Sequence, residues 1–208
     1  MKLEIPNRKF LAYIFDCDGT LADTMPLHFR AWSRAMAEEG AEFPEATFYE
    51  WGGRPAVDIV ASLNERCRLS MPPFETAQRK ESYFLELLHE VEAIHPVVDM
   101  ARRTRGFAPM AVASGGQREL VVATLDLLKI HDWFDAVICA EDYERGKPAP
   151  DPFLVAAARL GVDPEHCLVF EDSPTGIASA KAAGMEYVFV PRVGLSEPQK
   201  PPFPALDE

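Results

Sequence analysis

Four short segments carry the residues most able to do chemistry, and each follows an apolar run or the loop after one. They are Asp16-Cys17-Asp18-Gly19-Thr20, Ser114-Gly115-Gly116, Lys147-Pro148 and Glu171-Asp172-Ser173. In an open parallel sheet, ligands bind at the carboxyl ends of the strands, so strands at those runs would bring the four segments to one edge. That edge would gather four carboxylates, a hydroxyl with flexible backbone amides, and one ammonium. Four carboxylates beside a single lysine repel one another strongly unless a cation joins them. Oxygen ligands without His or Cys favour a hard divalent ion, Mg²⁺, over zinc or iron. Lysine, serine and glycine amides around such an ion also cradle phosphoryl oxygens, so the implied chemistry is phosphoryl transfer. Each segment has a plainer reading as well. Asp172-Ser173-Pro174 would serve as a helix start alone, Ser114-Gly115-Gly116 as a turn, and Lys147 as a solvated surface side chain.

The elements that must position these residues are visible as five short apolar runs, at 10–15, 108–113, 135–139, 167–170 and 186–190. Being continuous rather than alternating, they suit parallel strands covered on both faces. Between them, helical periodicity spans 118–128, 152–160 and 174–183. Asp151 before Pro152 and Ser173 before Pro174 mark two helix starts, and Gly161 and Gly184 mark two ends. Strand and helix in alternation predict an α/β fold, a doubly wound parallel sheet. The rhythm breaks between residues 24 and 96, where helix-like stretches (27–39, 56–68, 75–91) occur without a convincing strand. The expected organisation is a core of residues 1–23 and 97–208 with an all-helical insert at 24–96. From residue 191 the chain becomes proline-rich, with Pro198, Pro201, Pro202 and Pro204, and reads as a loosely docked tail.

Composition narrows the partners. The 208 residues include 33 acidic and 21 basic side chains, a net charge of −12, and 48% are hydrophobic, enough for a sizeable core. A chain this acidic repels nucleic acid and anionic lipid unless a basic patch is present, and none is evident, so the expected partner is a small molecule. No secretory leader and no run near the roughly 18 apolar residues needed to span a bilayer is visible, so a cytoplasmic location is expected. A monomer is the default expectation. Cys17, Cys67, Cys139 and Cys167 have no CxxC spacing and read as reduced thiols, most of them buried.

Asp16-x-Asp18-Gly19-Thr20, Ser114, Lys147-Pro148 and Glu171-Asp172, in this order across about residues 10–192, resemble the four motifs of the haloacid dehalogenase superfamily. Leu21-Ala22-Asp23-Thr24, Gly146-Lys147-Pro148-Ala149-Pro150-Asp151 and Phe170-Glu171-Asp172-Ser173-Pro174-Thr175-Gly176-Ile177 resemble its β-phosphoglucomutase and sugar-phosphate phosphatase branch, which carries a helical cap. The resemblance implies that Asp16 attacks phosphorus and becomes an aspartyl-phosphate, with Asp18 as acid and base. It implies Mg²⁺ held by the Asp16 carboxylate, the Asp18 backbone carbonyl and Asp172, with Glu171 as ligand or support. Ser114 and Lys147 would bind the transferring phosphoryl oxygens, assisted by Gly115 and Gly116, and Lys147 would offset the charge of Asp16.

The insert would close over this site as a cap, hinged near Thr24 and residues 93–96. Thr24 and His28 match branch positions close to the acid/base aspartate. His28 could equally be an ordinary helix-face histidine. Trp51-Gly52-Gly53-Arg54-Pro55 resembles the loop that sets substrate choice, with Arg54 as the contact. A mutase needs two phosphate sites, and Gly116-Gln117-Arg118 lacks the lysine expected after the second motif, although Arg79 and Lys80 could compensate. The expected activity is therefore Mg²⁺-dependent hydrolysis of a small phosphorylated metabolite, such as fructose-1-phosphate or a hexose phosphate. A β-phosphoglucomutase-like isomerase is the alternative. A non-catalytic phospho-acceptor or binding protein is the alternative outside enzymes.

Overall fold

The computed structural model describes residues 1, 3–52 and 54–192. The expected proline-rich tail lies outside them apart from Pro191 and Arg192, and so does Gly53 of the Trp51–Pro55 loop. Five parallel strands form one sheet: β1 (Ala12–Phe15), β2 (Met110–Ala113), β3 (Ala136–Ile138), β4 (Cys167–Glu171) and β5 (Glu186–Phe189). Their order is β3-β2-β1-β4-β5. The winding reverses beside β1, which pairs with β2 on one side and β4 on the other, bringing Phe15 level with Val112 and Phe170. This is the switch point at which such sheets open a ligand crevice.

Alternation along the strands serves two cores at once. Phe15, Met110, Val112, Leu168 and Phe170 join Val97, Ala101, Val121 and Leu125 from α5 (His95–Thr104) and α6 (Arg118–Leu127) on one face. Ala12, Ile14, Ala111, Ala113 and Val169 meet Phe153, Ala156, Ala157 and Ala180 from α7 (Asp151–Leu160) and α8 (Pro174–Ala182) on the other. Both faces being dry is why the runs read as continuous. The helix starts divide. Ser173 caps α8 by accepting from the Gly176 amide, as its sequence position predicts. Asp151 does not cap α7; it is the first helical residue and its carboxylate is bonded by Arg145 at 2.8 Å.

Between β1 and α5 the chain forms α1 (Met25–Glu38), α2 (Glu45–Glu50), α3 (Ala56–Cys67) and α4 (Pro73–Leu87). These helices bury a cluster of their own that includes Trp32, Met36, Phe43, Phe48, Val60 and Leu63. The two connections to the sheet run side by side: Asp23 N–H donates to Glu92 O, Ile94 N–H donates to Leu21 O, and Ala22 bridges Ala93. Two elements differ from expectation. The six-residue α2 is too short to show a helical period, and α5 begins at residue 95, inside the expected hinge. Among the described residues no helix is long and apolar enough to cross a membrane.

Candidate active site

Asp16 follows the last residue of β1 and donates its N–H to Phe170 O at 3.0 Å, so the sheet's own register sets it beside Glu171 at the end of β4. Lys147, reaching back from the loop after β3, donates to Asp16 Oδ1 at 2.7 Å and to Glu171 Oε2 at 2.9 Å. The other Glu171 oxygen accepts from the amide and the hydroxyl of Ser173, so this carboxylate is spent on holding its neighbours. Lys147 is only 3% exposed and stands behind the two carboxylates rather than on the cavity wall. Its partners Asp16 and Glu171 outweigh burial and hold the ammonium firmly protonated.

Asp172 completes the acidic group. Ligand oxygens of Asp16, Glu171 and Asp172 lie within 4.8 Å of one another, all three residues being buried. Burial first, then repulsion from Glu171, pushes the Asp16 carboxyl well above its ordinary range against the pull of Lys147, and Asp172 is raised by the same causes. Asp172 Oδ2 is buried with no hydrogen-bond partner among the described residues; the nearest cation is Arg192 Nε at 3.9 Å. Three carboxylates and one ammonium leave a negative excess, and an orphaned carboxylate oxygen is costly. A small divalent cation satisfies both, so these residues fit Mg²⁺. Gly19 belongs to the same cradle. Its φ is +84°, and a Cβ there would stand 2.5 Å from Asp172 Oδ2.

Asp18 faces the other way. Thr24 Oγ1 donates to its Oδ1 at 2.7 Å, His28 Nε2 lies 3.3 Å from the same oxygen, and Ser114 Oγ is 3.4 Å from Oδ2. Burial raises this carboxyl, but the hydrogen bonds and charges from the insert outweigh it and hold it at about 2. Lys80 of α4 contacts His28 Nδ1 at 2.8 Å. An ammonium can only donate, so Nδ1 accepts and the Nε2 proton points at Asp18. On the core side Ser114 is fixed by Gly116 N–H donating to its Oγ at 3.0 Å and by Tyr143 hydroxyl on its carbonyl.

A cavity of about 210 Å³ joins these groups. That is below the roughly 300–1,000 Å³ usual for drug-sized ligands, and so suits a small metabolite. Asp16, Asp18, Ser114, Gly115, Gly116, Glu171 and Asp172 line it from the core; His28, Arg54, Trp51, Lys80 and Glu81 line it from the insert. Thr24 is fully buried and meets Asp18 rather than the cavity. Arg54 is bonded to Ser62 Oγ at 2.7 Å and lies 4.8 Å over the Trp51 ring. Sequence reasoning passed over Glu81 and Arg192. Arg192 falls within the stretch read as a loose tail, yet it reaches the cavity and donates to Tyr49 O of the insert. No local pattern marks either residue.

Residues 10–184 match the family model described as haloacid dehalogenase-like hydrolase. The chain belongs to this family. Among curated relatives of this haloacid dehalogenase-like hydrolase, fructose-1-phosphate phosphatase YqaB of Escherichia coli is 37% identical over 183 residues, 88% of this chain and 97% of the relative. A phosphorylated carbohydrates phosphatase of Thermotoga maritima is 31% identical, covering 86% of this chain and 83% of its own. In structure, a β-phosphoglucomutase of Clostridium difficile matches with a TM-score of 0.78 over 86% of this chain and 83% of its own; at 23% identity the likeness is one of fold. The enzyme is a phosphoric monoester hydrolase, and the β-phosphoglucomutase-like fold expected from its motifs is the fold observed.

Proposed function

We propose that this enzyme is a Mg²⁺-dependent phosphatase of small sugar monophosphates, working through an aspartyl-phosphate. In the first step an Asp16 carboxylate oxygen bonds to phosphorus, the ester P–O bond breaks, and Asp18, a carboxylate at rest, gives the departing sugar oxygen a proton that it must take up as the substrate binds. In the second, water attacks the phosphoryl group, its proton passes to Asp18, and the Asp16–phosphorus bond breaks to release inorganic phosphate. Lys147 holds the Asp16 carboxylate in place and offsets its charge. Ser114 Oγ and the Gly115 amide are the donors that would meet the transferring group from the core, and the Gly116 amide holds Ser114 Oγ in place. Asp16 and Asp172, supported by Glu171, are the residues that would hold Mg²⁺, which when bound offsets phosphoryl charge. The helical insert acts as a cap that presents His28 and Arg54 and excludes bulk water.

The observation that carries hydrolysis over isomerisation is the state of the remaining cations. A mutase must grip a second phosphate, yet Arg79 is paired with Glu38 and Glu39, Lys80 with Glu81, and the Arg118 guanidinium with Asp142. Sugar-phosphate substrates are further supported by the relatives named as phosphatases of fructose-1-phosphate and of phosphorylated carbohydrates. The test is phosphate release from a panel of sugar monophosphates with Mg²⁺, beside an isomerisation assay with β-glucose-1-phosphate. Multiple-turnover release with negligible isomerisation is expected. Asp16→Asn should reduce release by on the order of 10⁴-fold or more. Wild-type-like turnover in that variant would overturn the mechanism, and rapid isomerisation would overturn the choice of phosphatase.

A further inference from the structure

Helix α4 turns two adjacent charged residues, Lys80 and Glu81, onto the cavity wall opposite the carboxylates of the sheet. Lys80 is 4% exposed, and its Nζ lies 5.6 Å from the ring centres of both Trp32 and Phe84. An ammonium has three protons. Here one partner is His28 Nδ1 at 2.8 Å and the others are the two Glu81 oxygens, each at 3.2 Å. Lys80 therefore has no proton to spare for a ligand, and the pair carries no net charge.

What this wall offers a substrate is the Glu81 carboxylate. Its side chain is 17% exposed and lines the cavity. A carboxylate has about four acceptor sites, and Lys80 uses two. The rest can take hydrogen bonds from hydroxyl groups and repel an anion. Around it the wall is aromatic: Trp32, Phe48, Trp51 and Phe84. An acceptor set among rings fits the neutral, hydroxyl-rich body of a sugar or polyol.

We propose that Glu81 is a specificity-determining residue: by occupying Lys80 and facing the cavity, it selects monophosphates with a neutral polyhydroxyl body and rejects ligands with a second phosphate or a carboxylate. The inference rests on the reading of the Asp16 site as a sugar-phosphate phosphatase and names what surrounds the reacting phosphate. Neither guanidinium of the cavity pairs with Glu81: Arg54 gives one donor to Ser62 and lies over Trp51, and Arg192 stands beside Asp172 at 3.9 Å.

Calorimetric binding of fructose-1-phosphate and fructose-1,6-bisphosphate to the Asp16→Asn protein with Mg²⁺ tests this without turnover. The bisphosphate should bind at least about tenfold more weakly than the monophosphate. Adding Glu81→Gln, which keeps the shape and removes the charge, should shrink that ratio by about tenfold or more. An unchanged ratio would overturn the proposal. So would equal or tighter bisphosphate binding by the Asp16→Asn protein alone, a result that does not depend on the second variant folding. Failure of the monophosphate to bind at millimolar concentration would overturn the substrate class. Phosphate release by the unaltered enzyme reports separately on the Asp16 reading: discrimination in binding without any release sinks the phosphatase and not Glu81, and release without discrimination does the reverse.

Discussion

Gly176 stands in the first turn of α8, and a Cβ built there would lie 2.0 Å from Glu171 Cδ and 2.1 Å from its Oε1. Real Cβ contacts essentially never fall below 3.0 Å, so in Gly176→Ala the Glu171 carboxyl must retreat by roughly 1 Å or more. It has no free space to use. Its two oxygens are held by Lys147 at 2.9 Å and by the Ser173 amide at 3.1 Å, all three residues buried. Breaking a buried ion pair costs about 3–5 kcal/mol and overpacking about 1–3, while alanine in a helix returns about 1. Since the carboxylate is displaced rather than deleted, a net loss of about 2–4 kcal/mol is expected. At about 2–4 °C per kcal/mol for a chain of this length, Tm should fall by about 5–15 °C. Lys147 also carries Asp16, and a 1 Å misplacement at a reacting group lowers turnover by on the order of 10²-fold. Thermal unfolding by circular dichroism and phosphate release measure the two effects. Gly146→Ala is the control, because its nearest neighbours are 3.8 Å away. Parental Tm and turnover in Gly176→Ala would refute the steric reasoning.

Two other outcomes follow from the site. The Asp16 and Asp172 carboxyls are raised in the folded protein, by burial and then by Glu171, so in chelator the native state keeps protons that the unfolded chain releases near pH 4. These groups therefore make metal-free stability fall as pH rises from about 4 through their elevated folded range. Mg²⁺ replaces the proton, so its stabilisation should be largest at high pH: about 2.7 kcal/mol at 100 times its Kd, a Tm gain of about 5–10 °C at pH 8 and less at pH 5. A Tm indifferent to Mg²⁺ at pH 8 would contradict the metal assignment. Arg54→Ala removes a guanidinium held over Trp51 beside the cavity. Losing contacts worth about 1–2 kcal/mol should raise KM by about 5- to 30-fold, more than it lowers kcat. Unaltered kinetics with every substrate in the panel would remove Arg54 from the contact surface.

Much of this site was legible because the sheet makes it local. Asp16, Ser114 and the Glu171-Asp172 pair lie at or just past strand ends, so finding the apolar runs was enough to bring them together. Ser173, Gly161 and Gly184 act on their own turns, and their positions marked one start and two ends. What stayed hidden depends on distant partners. Asp151 looks like a cap until Arg145 takes its carboxylate. Lys80 looks like a spare cation, and only the fold reveals that His28, 52 positions away, and Glu81 use its protons. Arg192 sits in a stretch whose composition says tail, while its guanidinium reaches Tyr49 and Asp172 across the cavity.

The two aspartates of the first motif are two residues apart, yet their surroundings drive them in opposite directions. Asp16 faces Glu171 and Asp172, so burial and like charge favour its neutral form wherever a cation does not intervene. Asp18 is less deeply placed, its side chain 23% exposed, and faces the start of α1, where Thr24 and His28 supply hydrogen bonds that overcome burial and keep it a carboxylate. The divergence states what each must gain to react: Asp16 needs a cation to stay an anionic nucleophile, and Asp18 needs a proton before it can act as an acid. Under the proposed mechanism it assigns control unequally. The electrostatics of Asp16 come from the sheet and from any bound cation, and would survive movement of the insert. Those of Asp18 come from the insert itself, through Thr24 and His28 and, behind them, Lys80 and Glu81. Undocking α1 would withdraw the donors and let the Asp18 carboxyl return towards its ordinary range, so the proton inventory of the site is tied to whether the insert is seated.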